Sequence, residues 1–142
     1  QHEYTWKRWA FSPYLTSQPC KYVELAYNGM FAKTYLSTEY QNNSYLSQQH
    51  KVSLKLMPFD GFTFDTSADI VKSELTKDVS KTMSLLDMGL SYRKKAMKIS
   101  FDIRNILNQR QYAYTIYNSV NTFTYNYLLR GRECVCTVKL TM

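Results

Sequence analysis

The stretch that decides the fold is Leu86-Asp87-Met88-Gly89-Leu90-Ser91-Tyr92-Arg93-Lys94-Lys95-Ala96-Met97-Lys98-Ile99-Ser100-Phe101-Asp102-Ile103-Arg104. Leu86, Met88, Leu90 and Tyr92 alternate with Asp87, Gly89, Ser91 and Arg93. After a short basic break, Met97, Ile99, Phe101 and Ile103 alternate with Lys98, Ser100, Asp102 and Arg104. Side chains of an extended chain point to opposite faces in turn, so a period of two sorts each half into one apolar and one polar face. The stretch therefore reads as two antiparallel strands joined by a tight turn at Lys94-Lys95-Ala96.

The same alternation spreads outward. Phe62, Phe64, Ala68 and Ile70 alternate with Thr63, Asp65, Ser67 and Asp69; Cys134, Cys136, Val138, Leu140 and Met142 alternate with Val135, Thr137, Lys139 and Thr141. Trp9, Phe11 and Leu15, then Val23, Leu25, Tyr27 and Phe31, then Val52, Leu54 and Leu56 follow more loosely. Strands are expected over residues 4–16, 20–36, 46–57, 62–74, 81–93, 97–108 and 122–142. The last is read as one long strand bulged at Gly131, where the phase slips, and a split there would make eight. Only Ala68 to Lys77 competes as a helix. Tight breaks are read at Ser17-Gln18-Pro19, Pro58-Phe59-Asp60-Gly61 and Lys94-Lys95-Ala96. Longer polar connections are read at 37–44, 76–80 and 109–121. The expectation is an all-β chain: an antiparallel up-and-down meander of seven to eight long strands, 1–142 as a single unit.

Composition agrees. Aromatics make up 15% of the chain, with 13 Tyr and 7 Phe, residues that favour pleated, half-buried surfaces. Aromatics also gather near strand ends, at Trp6, Trp9, Tyr14, Phe59, Tyr92, Tyr112, Tyr125 and Tyr127, as at a membrane interface. No window approaches the roughly 18 consecutive apolar residues of a membrane-spanning helix. A tilted strand, by contrast, crosses a bilayer in about 9–11 residues, which the longer segments satisfy.

The net charge of +7 is spread along the chain, with its tightest groups at Arg93-Lys94-Lys95 and at Arg130 and Arg132. Nucleic-acid binding would need those charges clustered among stacking aromatics, so no nucleic-acid partner is expected. Cys134 and Cys136 share a face at about 6.5–7 Å, at or beyond disulfide reach. His2 and His50 are not at ligand spacing, so no metal and no cofactor is expected. No catalytic constellation is present. Asp65 and Asp69, the best carboxylate pair, would stand about 13 Å apart along one strand. The chain is not expected to be an enzyme.

The segment from Leu90 to Met142 resembles the C-terminus of TonB-dependent outer-membrane receptors, closest to the SusC-like type of Bacteroidetes. Ile103-Arg104-Asn105-Ile106-Leu107-Asn108-Gln109 resembles that family's Asn-Leu-Phe-Asn strand end. Tyr112, Tyr114 and Tyr117 resemble its tyrosine-rich outer loop, and Tyr127-Leu128-Leu129-Arg130-Gly131-Arg132-Glu133 resembles its Tyr-x-Leu-Arg-Gly-Arg segment. Met142 departs from the aromatic that usually closes the last strand. Family members are plugged barrels of about 22 strands. The resemblance implies a C-terminal barrel segment, with no plug within it, in the bacterial outer membrane, serving uptake of a nutrient such as a glycan. Its implied partners are the bilayer, the remainder of the barrel, the plug, TonB through that plug, and a surface lipoprotein. Asp65, Asp69, Arg93, Lys98, Asp102, Arg104, Arg130, Arg132 and Lys139 are then the candidates for the lumen, touching plug or substrate. Tyr112, Tyr114 and Tyr117 are the outer-loop candidates. The alternative reading is a soluble all-β ligand-binding module, lipocalin-like or a sandwich.

Overall fold

The computed structural model describes residues 5–37, 42–76, 79–117 and 122–141. The described chain is all-β. Its strands are β1 (Thr5–Phe11), β2 (Tyr14–Cys20), β3 (Val23–Ser37), β4 (Asn42–Leu56), β5 (Phe62–Thr76), β6 (Val79–Lys94), β7 (Met97–Arg104), β8 (Gln111–Tyr117), β9 (Thr122–Leu128) and β10 (Glu133–Leu140). The main sheet runs β1-β3-β4-β5-β6-β7-β10, with β2 also on β3, and every pairing is antiparallel. The sheet is open. A separate hairpin, β8–β9, is inserted between β7 and β10.

The expected first strand is present but interrupted. β1 and β2 hold one register on β3 across Ser12-Pro13, from Phe11 opposite Phe31 to Tyr14 opposite Asn28, and Gly29 N donates to Pro13 O at 2.9 Å in the gap. The break expected at Ser17-Gln18-Pro19 lies inside β2 and appears only as a register shift between Ser17 and Cys20. Pro19 is tolerated there because β2 is an edge strand, where a missing N–H costs no ladder bond. The turn comes instead at Lys21-Tyr22.

Other corrections share one cause: a polar residue does not end a strand whose neighbour keeps pairing with it. β4 begins at Asn42, inside the expected polar connection, and Asn42 to Tyr45 pair with Thr34 to Ser37. The strand expected over 62–74 is present as β5 and runs on to Thr76, in place of the helical competitor from Ala68, and β6 starts at Val79, so the expected long connection at 76–80 shrinks to 77–78. Residues 38–41, 77–78, 118–121 and Met142 lie outside the described residues.

The long strand expected over 122–142 is two strands with different partners. β9 pairs with β8 and β10 pairs with β7. The cause lies across the sheet. Asn105 and Asn108 both adopt left-handed backbone, with φ of 52° and 54°, which ends β7 and lets the chain bend before β8. Asn is among the few residues with a side chain that tolerate this region.

Tight turns gather at one end of the sheet. Met57 N donates to Tyr22 O at 2.7 Å, Arg93 N to Gly61 O at 2.7 Å and Thr141 N to Ala96 O at 2.8 Å, so neighbouring turns are stitched sideways. Gly61 has φ of 81°, and a Cβ there would sit 2.1 Å from the Arg93 carbonyl oxygen, so the turn requires glycine twice over.

Candidate functional site

Register assigns each residue to a face, because directly paired residues point the same way. One face carries Leu15, Val23, Leu25, Tyr27, Phe31, Val52, Leu54, Leu56, Phe62, Phe64, Ala68 and Ile70. It continues through Leu86, Met88, Leu90, Tyr92, Met97, Ile99, Phe101 and Ile103 to Cys134, Cys136, Val138 and Leu140. Among the described residues nothing covers this face. Leu25, Val52, Ile70, Leu90, Ile99 and Phe101 are 37–41% exposed although they lie in the body of the sheet.

The apolar band does not run the full strand length. On β5 it extends from Phe62 to Ile70 and gives way to Lys72 and Glu74; on β6 it extends from Tyr92 to Leu86 and gives way to Ser84 and Thr82. Seven to nine residues at about 3.3 Å each span roughly 18–23 Å at a barrel strand's usual tilt of about 40°, close to but below an apolar band of about 25 Å. Beyond it, toward 38–41 and 77–78, the band's own face turns largely polar, with Lys33, Ser44, Gln48, Lys72 and Thr82. The few polar groups within the band are satisfied locally. Thr66 Oγ1 donates to Asp87 O at 2.9 Å, and Tyr27 Oη and His50 Nδ1 are hydrogen-bonded at 2.8 Å beside the Phe31 ring.

The opposite face is polar, and seven of the predicted lumen residues share it: Asp65, Asp69, Arg93, Lys98, Asp102, Arg104 and Lys139. Nearest the tight turns, Lys98 stands directly opposite both Arg93 and Lys139, a row of three cations across β6, β7 and β10. Like charges directly opposite one another repel. Further along, Asp65 and Asp102 converge above Gly89. The point where a Cβ would stand on Gly89 is 2.8 Å from Asp65 Oδ1 and 2.9 Å from Asp102 Oδ1, so the carboxylates are no farther apart than those two lengths together. The sequence reading paired Asp65 with Asp69. The actual neighbour comes from two strands away, and the glycine between them was the available signal.

Asp69 is held separately, by Gln49 Nε2 at 3.2 Å and 3.3 Å. Glu24 and Lys55 form a half-exposed ion pair at 3.6 Å, worth at most about 1 kcal/mol. Glu24 and Lys55 border an open trough of about 470 Å³ that is also lined by Thr16, Ser53, Asp65 and Ser67.

The small buried core is also on the polar side. Ala32, Thr34, Val71, Ser73 and Met83 are buried there, and β8 touches β5 with Ala113 buried. The hairpin is thus folded against the sheet rather than standing free. Its attachment joins the two sequence motifs of the C-terminal third. The buried Asn105 side chain donates to Gln109 O at 2.6 Å and to Arg130 O at 2.8 Å and accepts from Gln109 N at 2.8 Å, while its backbone N donates to Asp87 Oδ1 at 2.7 Å. Asn108 Oδ1 accepts from Arg132 N at 3.0 Å, and Arg132 Nε donates to Ile106 O at 2.9 Å. Arg132 is therefore occupied in holding the bend. Arg130 pairs with Glu133 at 3.5 Å, and Glu133 stands opposite Arg104 in register.

In the hairpin, Tyr112 stands opposite Tyr127 and Tyr114 opposite Tyr125, with Tyr117 opposite Thr122. The side chains of Tyr112, Tyr114 and Tyr117 lie outside the described residues. Among the described residues no group of three or more His, Cys, Asp or Glu is placed to hold a metal ion, and no helix is long and apolar enough to cross a membrane. No family model, curated protein or solved structure matches the chain.

Proposed function

We propose that this chain forms part of the wall of an outer-membrane β-barrel of the TonB-dependent receptor type, serving nutrient uptake. The observation that carries the reading is the uncovered apolar face. A soluble sandwich or lipocalin-like module would bury that face in its own core. Here the buried side chains of the sheet lie on the polar side, and the apolar band runs seven to nine residues per strand, near the extent a lipid-facing band requires. In this reading lipid meets the band, and the aqueous bore meets Asp65, Asp69, Arg93, Lys98, Asp102, Arg104 and Lys139.

The polar trough and the row of cations then face the interior, where a plug domain or a hydrated substrate would be met. TonB would act through that plug. The strand ends beyond the band carry the β8–β9 hairpin outside the bilayer, where the tyrosines paired in register, Tyr112 with Tyr127 and Tyr114 with Tyr125, are the candidates to meet sugar rings or a surface lipoprotein partner. The joining of Asn105 and Asn108 to Arg130, Gly131 and Arg132 supports the family resemblance, because its two motifs form one bend.

Fractionation of the native cell tests the reading. The protein is expected in the outer-membrane fraction, resisting alkaline carbonate and released by detergent. Recovery as a stable, detergent-free monomer would end the proposal.

A further inference from the structure

We infer that the cation row Arg93, Lys98 and Lys139, with Lys95 and Thr141 beside it, is a binding site for a ligand that presents phosphate groups. Register sets the row: Lys98 on β7 stands opposite Arg93 on β6 and opposite Lys139 on β10. Paired strands lie about 4.8 Å apart, so the three positions fall within about 10 Å on one face. With Lys95, Ala96, Met97 and Thr141 they line a hollow of about 310 Å³ at the β6–β7 turn. That volume suits a small ligand.

No carboxylate offsets this row. Elsewhere on the polar face Lys55 stands opposite Glu24 and Asp65, Lys51 opposite Asp69, and Arg104 opposite Glu133. Among the described residues none of Arg93, Lys95, Lys98 and Lys139 takes part in an ion pair, and Asp60, exposed in the neighbouring turn, pairs with none of them. Asp102, four residues on from Lys98 along β7, is about 13 Å away. Between the two lies a row of hydroxyls, Thr63, Ser91, Ser100 and Thr137, paired across β5, β6, β7 and β10. Hydroxyls donate to an anion and bring no charge that competes with it. Like charges directly opposite one another destabilise a sheet, and a bound anion relieves that repulsion.

Charge selects the class of ligand. The hollow carries four cations, and a single carboxylate offsets one of them. A phosphate group carries about −1.5 to −2 at neutral pH on three acceptor oxygens, so neighbouring cations can share it. Arg93 presents a planar fork that takes two such oxygens, and the lysines serve as point charges on flexible stems. The backbone on both flanks is already fixed. Arg93 N donates to Gly61 O at 2.7 Å, and Thr141 N donates to Ala96 O at 2.8 Å. Binding therefore orders side-chain tips and not the chain, which keeps its entropic cost low. In the membrane-wall reading the hollow opens at the tight-turn end of the aqueous bore, but register and charge give the same site in either solvent.

Calorimetric titration of the purified chain with pyrophosphate, in detergent and in low-salt buffer free of phosphate, tests the site. One pyrophosphate should bind per chain, and its affinity should fall as salt is added. Lys98→Gln should weaken binding about tenfold or more, the loss expected when a charge-assisted hydrogen bond is removed. Lys81→Gln removes the same charge at the far end of the polar face and should change the affinity less than about twofold. Lys98→Gln relieves repulsion, so its urea midpoint should equal or exceed that of the unaltered protein, and lost binding cannot then be lost folding. Native mass spectrometry distinguishes the source of the phosphate. A phospholipid retained by the unaltered protein and lost in Lys98→Gln would place the phosphate on a lipid headgroup. Pyrophosphate binding with no retained lipid would place it on a solute. Absence of pyrophosphate binding at low salt, equal losses in the two variants, or tighter binding of an oligoglutamate peptide, which would mark an acidic protein segment as the occupant, would each overturn the inference.

Discussion

Leu90→Arg separates a lipid-facing sheet from a water-facing one. Leu90 lies on β6, between Phe64 and Phe101 on the apolar face, well inside the band that runs from Tyr92 to Leu86 on that strand. It is 37% exposed, so the surrounding protein leaves room for a longer side chain. In water the exchange forfeits only part of one leucine's burial, about 1 kcal/mol, and the arginine stem recovers some of it. Against hydrocarbon, an arginine near the midplane costs about 2–4 kcal/mol. At about 1.4 kcal/mol per factor of ten, that is roughly a 30- to 1000-fold loss in the folded-to-unfolded ratio. Ser91→Arg is the matched control. It adds the same charge one residue on, to the polar face opposite Thr63 and Ser100, where a shift within about 0.5 kcal/mol is expected. Urea unfolding of the vesicle-embedded protein, followed by heat-modifiable gel mobility, reads both. Equal midpoints for the two variants would refute the assignment of faces to solvents.

Asn105→Ala removes three hydrogen bonds and places a β-carbon-bearing residue without a polar tip at φ of 52°. A loss of about 2–4 kcal/mol is expected, with Asn105→Gly losing less because it keeps the backbone conformation; faster hydrogen exchange in β8 and β9 would report it. Gly61→Ala drives a methyl into the Arg93 carbonyl and should cost roughly 2–3 kcal/mol in denaturant unfolding. Lys98→Glu turns two repulsions, with Arg93 and Lys139, into attractions, so stability should rise by about 0.5–1 kcal/mol at low salt and the gain should shrink in concentrated salt. Cys134 and Cys136 are exposed on the apolar face of the sheet. A charged, water-soluble maleimide should fail to label them in intact membranes and should label both after unfolding in detergent.

The faces of the sheet were legible because burial on one side imposes a period of two that no helix shares. That pattern placed Asp65, Asp69, Asp102, Lys98 and Arg104 on one side before any contact was known. It could not say which of them meet, since neighbours across a sheet are set by strand order and register, and Asp65 finds Asp102 rather than Asp69. Strand ends were misjudged wherever polar residues kept pairing past the apolar band, as at Asn42 and Thr76. β8 was read as part of the loop 109–121, because its Tyr, Asn and Ser surroundings carry turn chemistry and strand chemistry at once, while β9 was read as the start of the last strand.

By itself the sequence determined strand identity, the separation into an oily and a polar face, and the tight turn at Gly61, because alternation and turn conformation are local properties of the chain. Tertiary structure alone decided the bend that binds Asn105 and Asn108 to Arg130, Gly131 and Arg132, the cation row at Lys98, and the open edges that both run toward the tight turns. Those depend on which strands lie side by side, a choice made by hydrogen bonds between residues far apart in the chain.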